Sequence, residues 1–170
     1  MRGQDLMSTK NAAELVKNNL LKLMVNLRKI EMKSVMIGVP ADHTERKEGD
    51  PITNASIGYI MEHGSPINNI PARPHLAPGV REATPKFTKY LVQAGQAVLK
   101  GDNPDRFLNM AGMVASSSVK NKINSNIGPA LKEGTLAARR RRGHKSTKTL
   151  VETAQYRNSI TYVLRDEKVK

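Results

Sequence analysis

Four prolines fall within residues 65–78, at Pro66, Pro71, Pro74 and Pro78. Each fixes its own φ, removes a backbone N–H donor and pushes the residue before it out of the α region. Such a segment has few helical options. It reads as an extended, rigid loop, and whatever is helical must lie before or after it.

After the loop, Val80, Ala83, Phe87, Leu91, Ala94 and Val98 recur at helical spacing over about 79–100. Gly101-Asp102-Asn103-Pro104 is a stop followed by a new start, with Asn103 as cap and Pro104 in the first turn. The second helix runs to about residue 126 and should bury Phe107, Met110, Ala111, Val114, Val119 and Ile123. Two helices joined this tightly pack antiparallel, so a helical hairpin is expected over about 79–127. Its second arm is rich in small residues (Ala111, Gly112, Ala115, Ser116, Ser117, Ser118), which suits close helix approach or contact with another subunit.

Before the loop, Ala12, Leu15, Val16, Leu20, Leu23, Leu27 and Ile30 predict an amphipathic helix over 10–32, capped by Thr9 or Asn11. A β-branched run predicts a strand at 34–40. Residues 41–50 read as a charged, exposed loop. Residues 51–64 read as a short helix that Gly64 would stop in the left-handed region. Beyond the hairpin, Gly128-Pro129 opens a basic loop over 128–149, with one or two helical turns near 134–143 capped by Thr135. Weak alternation predicts a strand at 156–165. Only six Phe and Tyr residues and no tryptophan are available, so a core must come from Leu, Ile, Val, Met and Ala. That supply suits helices better than a large sheet, and a core this thin would welcome neighbouring subunits. The expectation is one α+β domain over 1–170, a small antiparallel sheet packed against long helices that include the hairpin.

Searching for chemistry gives little. There is no cysteine, and His43, His63, His75 and His144 do not fall at metal-ligand spacings. Glu62 and His63 are adjacent, and neighbours on a helix point in different directions. No phosphate-binding glycine loop is present, Ser116-Ser117-Ser118 lacks the glycines of a nucleophile elbow, and the 15 acids are scattered. The expectation is therefore no catalytic residue, no cofactor, no metal and no enzyme. The first residues are polar, without the apolar run of a signal peptide, and nothing approaches a membrane span of about 20 apolar residues. The net charge is +13, and Arg139, Arg140, Arg141 and Arg142 form the one charge run, with Lys145 and Lys148 close by. These six are candidates for contact with DNA phosphates or with an acidic protein surface. With so few aromatics, base stacking is disfavoured and any nucleic-acid contact would be sequence-blind.

Met61-Glu62-His63-Gly64, Pro71-Ala72-Arg73-Pro74-His75-Leu76 and the stretches 129–143 and 149–162, taken in that order, together resemble the tail-component, or tail-completion, family of tailed bacteriophages. Its members carry a helix ending near "HEFG", then "PARPFL" and a long helix. Here Met61-Glu62-His63-Gly64 keeps the glutamate and glycine but moves the histidine and lacks the aromatic. Pro71-Ala72-Arg73-Pro74-His75-Leu76 has His75 where the family prefers phenylalanine. Residues 129–143 are similar to a "PL…T…RR" stretch. Residues 149–162 are similar to a closing "PLVDTG…RNSITY", with Thr149 for proline, Glu152 for aspartate and Ala154 for glycine. The resemblance extends over 35–165.

It implies a structural subunit of the virion neck or tail, made in the host cytoplasm. Copies of the chain would form a ring, a hexamer by family habit, that completes the tail or joins it to the head. Partners would be neighbouring neck, head-closure or tail-terminator and tube proteins, with non-specific contact to genomic DNA in the channel and none to membrane. Glu62, Pro71, Arg73 and Pro74 are candidate subunit-interface or loop-anchor residues. Prolines lower the ordering cost of an interface segment, and Arg73 could either pair bidentately with a neighbour's carboxylate or merely position the long helix. The competing reading is a basic nucleic-acid-binding protein acting through Arg139, Arg140, Arg141 and Arg142.

Overall fold

Helices α3 (Leu76–Lys100) and α4 (Asp105–Asn124) form the hairpin and hold most of the buried residues. They lie in a computed structural model that describes residues 2–43, 46 and 52–167. The remaining elements are α1 (Arg2–Glu31), β1 (Lys33–Gly38), α2 (Asn54–His63), α5 (Glu133–Arg141), α6 (Gln155–Ser159) and β2 (Thr161–Asp166). Most of the loop expected at 41–50 lies outside the described residues.

The turn of the hairpin is dictated locally. Gly101 takes the left-handed conformation (φ 85°, ψ 9°). Its N–H donates to Val98 O, and that of Asp102 donates to Ala97 O at 2.8 Å, the paired bonds of a Schellman stop. Asn103 Oδ1 then accepts the N–H of Asp105 at 2.9 Å and starts α4. Between the arms, Ala83, Ala94, Ala97, Ala111 and Ala115 are buried, so the two backbones approach closely. A Cβ at Gly79 would stand 2.7 Å from Val119 Cα.

The strands pair antiparallel across more than 120 residues of chain, with Ile37 opposite Tyr162 and Met36 opposite Val163. The two-stranded sheet leans on α4, where Gly112 leaves room for the Tyr162 ring. A pair of strands alone is marginal, and packing on a helix is what sustains it. Val119, Ile123, Tyr156 and Ile160 form the centre of the core, with Ile37, Val39, Ile57, Leu76, Val80, Leu150 and Val151 against them. The architecture is the expected α+β, a small antiparallel sheet against long helices.

Several local expectations need correction. Helix α1 begins at Arg2, so neither Thr9 nor Asn11 starts it. Helix α3 begins at Leu76, because Pro78 in a first turn has no N–H to lose. The prolines therefore shape only residues 65–75, where a Ser65–Ile70 bridge closes a tight turn. Gly64 has the positive φ of 78°, but its ψ of 175° is extended rather than left-handed helical. The 128–149 loop contains α5, which follows Lys132 and leaves Thr135 inside the helix, not at its cap. The 156–165 strand is instead α6 followed by β2. Ala154, in the left-handed region (φ 61°), turns the chain into that short helix and sends Tyr156 inward. Among the described residues no helix is long and apolar enough to cross a membrane.

Two glycine substitutions separate close approach from mere flexibility. Gly79→Ala should lower the urea midpoint by an amount equivalent to about 1–3 kcal/mol, because the Val119 backbone cannot yield cheaply. Gly95→Ala, with nothing within 4 Å of the new carbon, should raise it by up to about 1 kcal/mol.

Candidate functional site

The polar groups that the sequence scatters along the chain meet at the start of α3. Glu62, in the last turn of α2, accepts three backbone N–H groups. His75 donates to its Oε2 at 2.7 Å, Leu76 to Oε2 at 2.9 Å and Ala77 to Oε1 at 3.0 Å. The His75 ring is fully buried. Its Nδ1 lies 2.8 Å from Arg73 O and 3.2 Å from Glu62 Oε2. The carbonyl can only accept, so Nδ1 carries the proton and Nε2 accepts from the Tyr156 hydroxyl across the core. Three distant segments are thereby joined through one imidazole.

A second group surrounds the loop after α4. The Arg73 guanidinium, 6% exposed, donates from Nε and Nη2 to Pro129 O at 3.0 and 2.9 Å. Arg139 is equally buried, and its Nη1 donates to Ser146 O at 3.1 Å and Lys148 O at 2.7 Å. Its Nε stands 3.5 Å from Glu152 Oε2, an ion-pair distance. Thr149 is buried too. Its N–H donates to Asn126 Oδ1 and its hydroxyl to Ile127 O, both at 2.8 Å.

Electrostatics follow from these contacts. For Glu62, burial pushes the carboxyl pKa up, but the three backbone donors and the nearby His75 outweigh it and hold it below the ordinary range. Burial lowers the pKa of His75, against the opposing pull of the Arg73 carbonyl and Glu62, so the ring is neutral at pH 7. Burial, then the charge of Glu62, raises the Tyr156 hydroxyl. Burial and the neighbouring Arg139 charge lower the pKa of Arg73, which nonetheless stays a cation.

Each candidate residue can now be placed. Glu62 anchors α3. Arg73 is spent on Pro129 O and is not free for a neighbour's carboxylate. Pro71 and Pro74 are exposed, and Pro71 lines an open groove with His63, Gly64, Ile70, Pro129 and Lys132. Arg139 must leave the set of DNA or acidic-partner contacts, because its side chain is internal. Arg140 pairs with Glu133, and Arg142 with Glu152 at 2.6 Å. Lys148 Nζ donates to Asn124 O at 3.0 Å. Arg141 and Lys145 are exposed.

The sequence reading missed His75, Tyr156, Thr149 and Glu152 as parts of this network. One signal existed: a histidine where the resembled pattern has a phenylalanine needs a buried polar partner. Nothing local named Tyr156 as that partner, 81 residues away. Among the described residues no three His, Asp or Glu side chains could hold a metal ion. What the network does chemically is tie segments together, since each side-chain polar atom of Glu62, His75 and Tyr156 is engaged within the chain.

Two measurements test this. A depressed carboxylate pKa stabilises the fold above the unfolded value of about 4.3, and that contribution vanishes as pH falls through the folded value. Glu62→Gln should thus lower the melting temperature at pH 7, by about 1–3 kcal/mol in stability, and the gap from the native chain should narrow as pH falls below that unfolded value. Arg139→Ala should cost a similar ~1–3 kcal/mol by leaving two carbonyls unbonded, whereas Arg141→Ala should stay within about 0.5 kcal/mol in the same urea titration.

No protein-family model, curated protein or solved structure matches this chain.

Proposed function

We propose that this chain is a structural subunit of a tailed-phage virion, a ring component of the neck or tail that completes the tail or joins it to the head. One observation carries the reading. The segments that resemble the tail-completion family, far apart in sequence, are the ones that this chain ties to each other. Glu62 of the first segment caps the helix that follows the Pro71–Leu76 element. Arg73 of that element holds Pro129, which opens the third. Arg139 of the third holds Ser146 and Lys148 and faces Glu152 of the fourth. Tyr156 of the fourth returns to His75. Residues spent on such a framework serve shape, which is what an assembly subunit needs.

The framework also presents a contact point. Ile67, at the tip of the Ser65–Ile70 turn, is 99% exposed on a loop stiffened by prolines. An apolar side chain held out on a rigid loop suits insertion into an adjacent subunit at small entropic cost. Partners in this reading are copies of the chain, a hexamer by the resemblance, and the neighbouring neck, head-closure or tail-tube proteins. The competing nucleic-acid reading loses Arg139 to the interior and finds Arg140 and Arg142 paired with acids. Exposed Arg141 and Lys145 remain for contact with DNA in a channel.

Native mass measurement with electron microscopy tests the proposal. The expected result is a discrete ring-sized oligomer, formed alone or on adding the adjoining tail-tube or head-closure protein. Ile67→Asp should weaken that assembly at least about tenfold with the subunit's unfolding midpoint unchanged. A chain that stays monomeric with every such partner, yet binds duplex DNA with a steep salt dependence, would overturn the proposal in favour of nucleic-acid binding.

A further inference from the structure

Helix α1 has 30 residues and at 1.5 Å per residue is about 45 Å long. Only part of it is used. Leu23, Asn26 and Ile30 are half-buried and lie on one face, with Asn26 near Gly101 at the end of α3. Every residue from 11 to 20 is exposed, so the first half of the described face stands clear of the body. Among the described residues, seven large apolar side chains of this helix are exposed, an unusual concentration for one element of a chain with so thin a core.

Three of them, with two charges, form an ordered stripe. Lys17, Leu20, Met24, Leu27 and Glu31 are spaced by three and four residues, fall on one face, and are all exposed. Leu20 is 56%, Met24 47% and Leu27 43% exposed. The stripe reads the same backwards, except that its ends have opposite charge. An antiparallel copy centred on Met24 would set leucine near leucine and Lys17 against Glu31 of the partner subunit, twice over. Self-complementarity of this kind is the requirement of a two-fold contact.

We propose that this face of α1 is a two-fold docking surface for a second copy of the chain. Charge selects that occupant. The protein carries +13 overall, so copies repel wherever basic faces meet. Within this stripe Lys17 and Glu31 offset each other, with exposed Arg28 flanking it, so a second copy meets both signs, which suits it better than an anionic surface or an acidic protein. The contact goes beyond the ring reading, because two helices can pair whether or not chains close into a ring, and a ring without α1 pairing is equally open to measurement.

The chain has no cysteine, so an introduced one reports cleanly. Met24→Cys should form a covalent dimer in high yield under mild oxidation. Lys17→Cys and Glu31→Cys should each stay uncrosslinked alone, and should crosslink to each other when the two proteins are mixed. Lys17→Glu or Glu31→Lys should each weaken the dimer by about tenfold, and the double exchange should restore it. The proposal is overturned if Met24→Cys stays monomeric, if Lys17→Cys crosslinks to itself as a parallel pair would, or if the double exchange is no better than either single one. Flotation of the native chain with phosphatidylserine vesicles, with no Met24→Cys dimer, would reassign the face to a membrane surface.

Discussion

The carboxylate of Glu62 stands at the N-terminus of α3 and completes a full account of that helix end. A helix leaves its first N–H groups without internal partners. Here His75, Leu76 and Ala77 donate to the one carboxylate, Pro78 has no N–H to satisfy, and the ladder begins with Gly79 donating to His75 O at 3.0 Å. The negative charge also meets the positive end of the helix dipole. The end of α2, the start of α3 and, through His75, the α6 residue Tyr156 are therefore set by a single side chain. The long hairpin takes its direction from that start, and the sheet takes its place from the hairpin.

Basic residues play a larger internal part than their number first suggests. Arg73 and Arg139 both reach backbone carbonyls in stretches that have no sheet ladder and little core of their own. A guanidinium offers several donors on a rigid plane and can hold two carbonyls at once, which a lysine cannot do with the same geometry. Glu152 gathers Arg142, Arg139 and His144 within 2.6, 3.5 and 3.9 Å, so part of the arginine run is balanced locally. The charge left at the surface is carried by residues such as Arg141 and Lys145.

With the interior filled by alanines, small aliphatics and this polar network, much of the larger apolar inventory lies outside. Ile67 and the stripe on α1 occupy opposite kinds of support, a proline-stiffened turn and a projecting helix. Burying either on another molecule recovers apolar area that the subunit alone leaves in water. Both proposed contacts rest on that imbalance.

The hairpin was legible because its signals are local. Helical spacing, a left-handed glycine and an Asn-Pro start act within a few residues, and no distant contact is needed to read them. The strand at 34–40 and the α+β class were legible for the same reason. The α6 turn was not, since its alternation suits a strand until Ala154 is held in a conformation that alanine adopts only when its surroundings insist. Arginine charge was countable in the sequence, yet which arginine faces water depends on the packing of α5 against residues 146–152. The sequence by itself determined where the hairpin turns and how much apolar material was available. Tertiary structure decided that Glu62, His75 and Tyr156 are one unit, because a buried polar atom must find a partner in space, and chain order does not say where that partner lies.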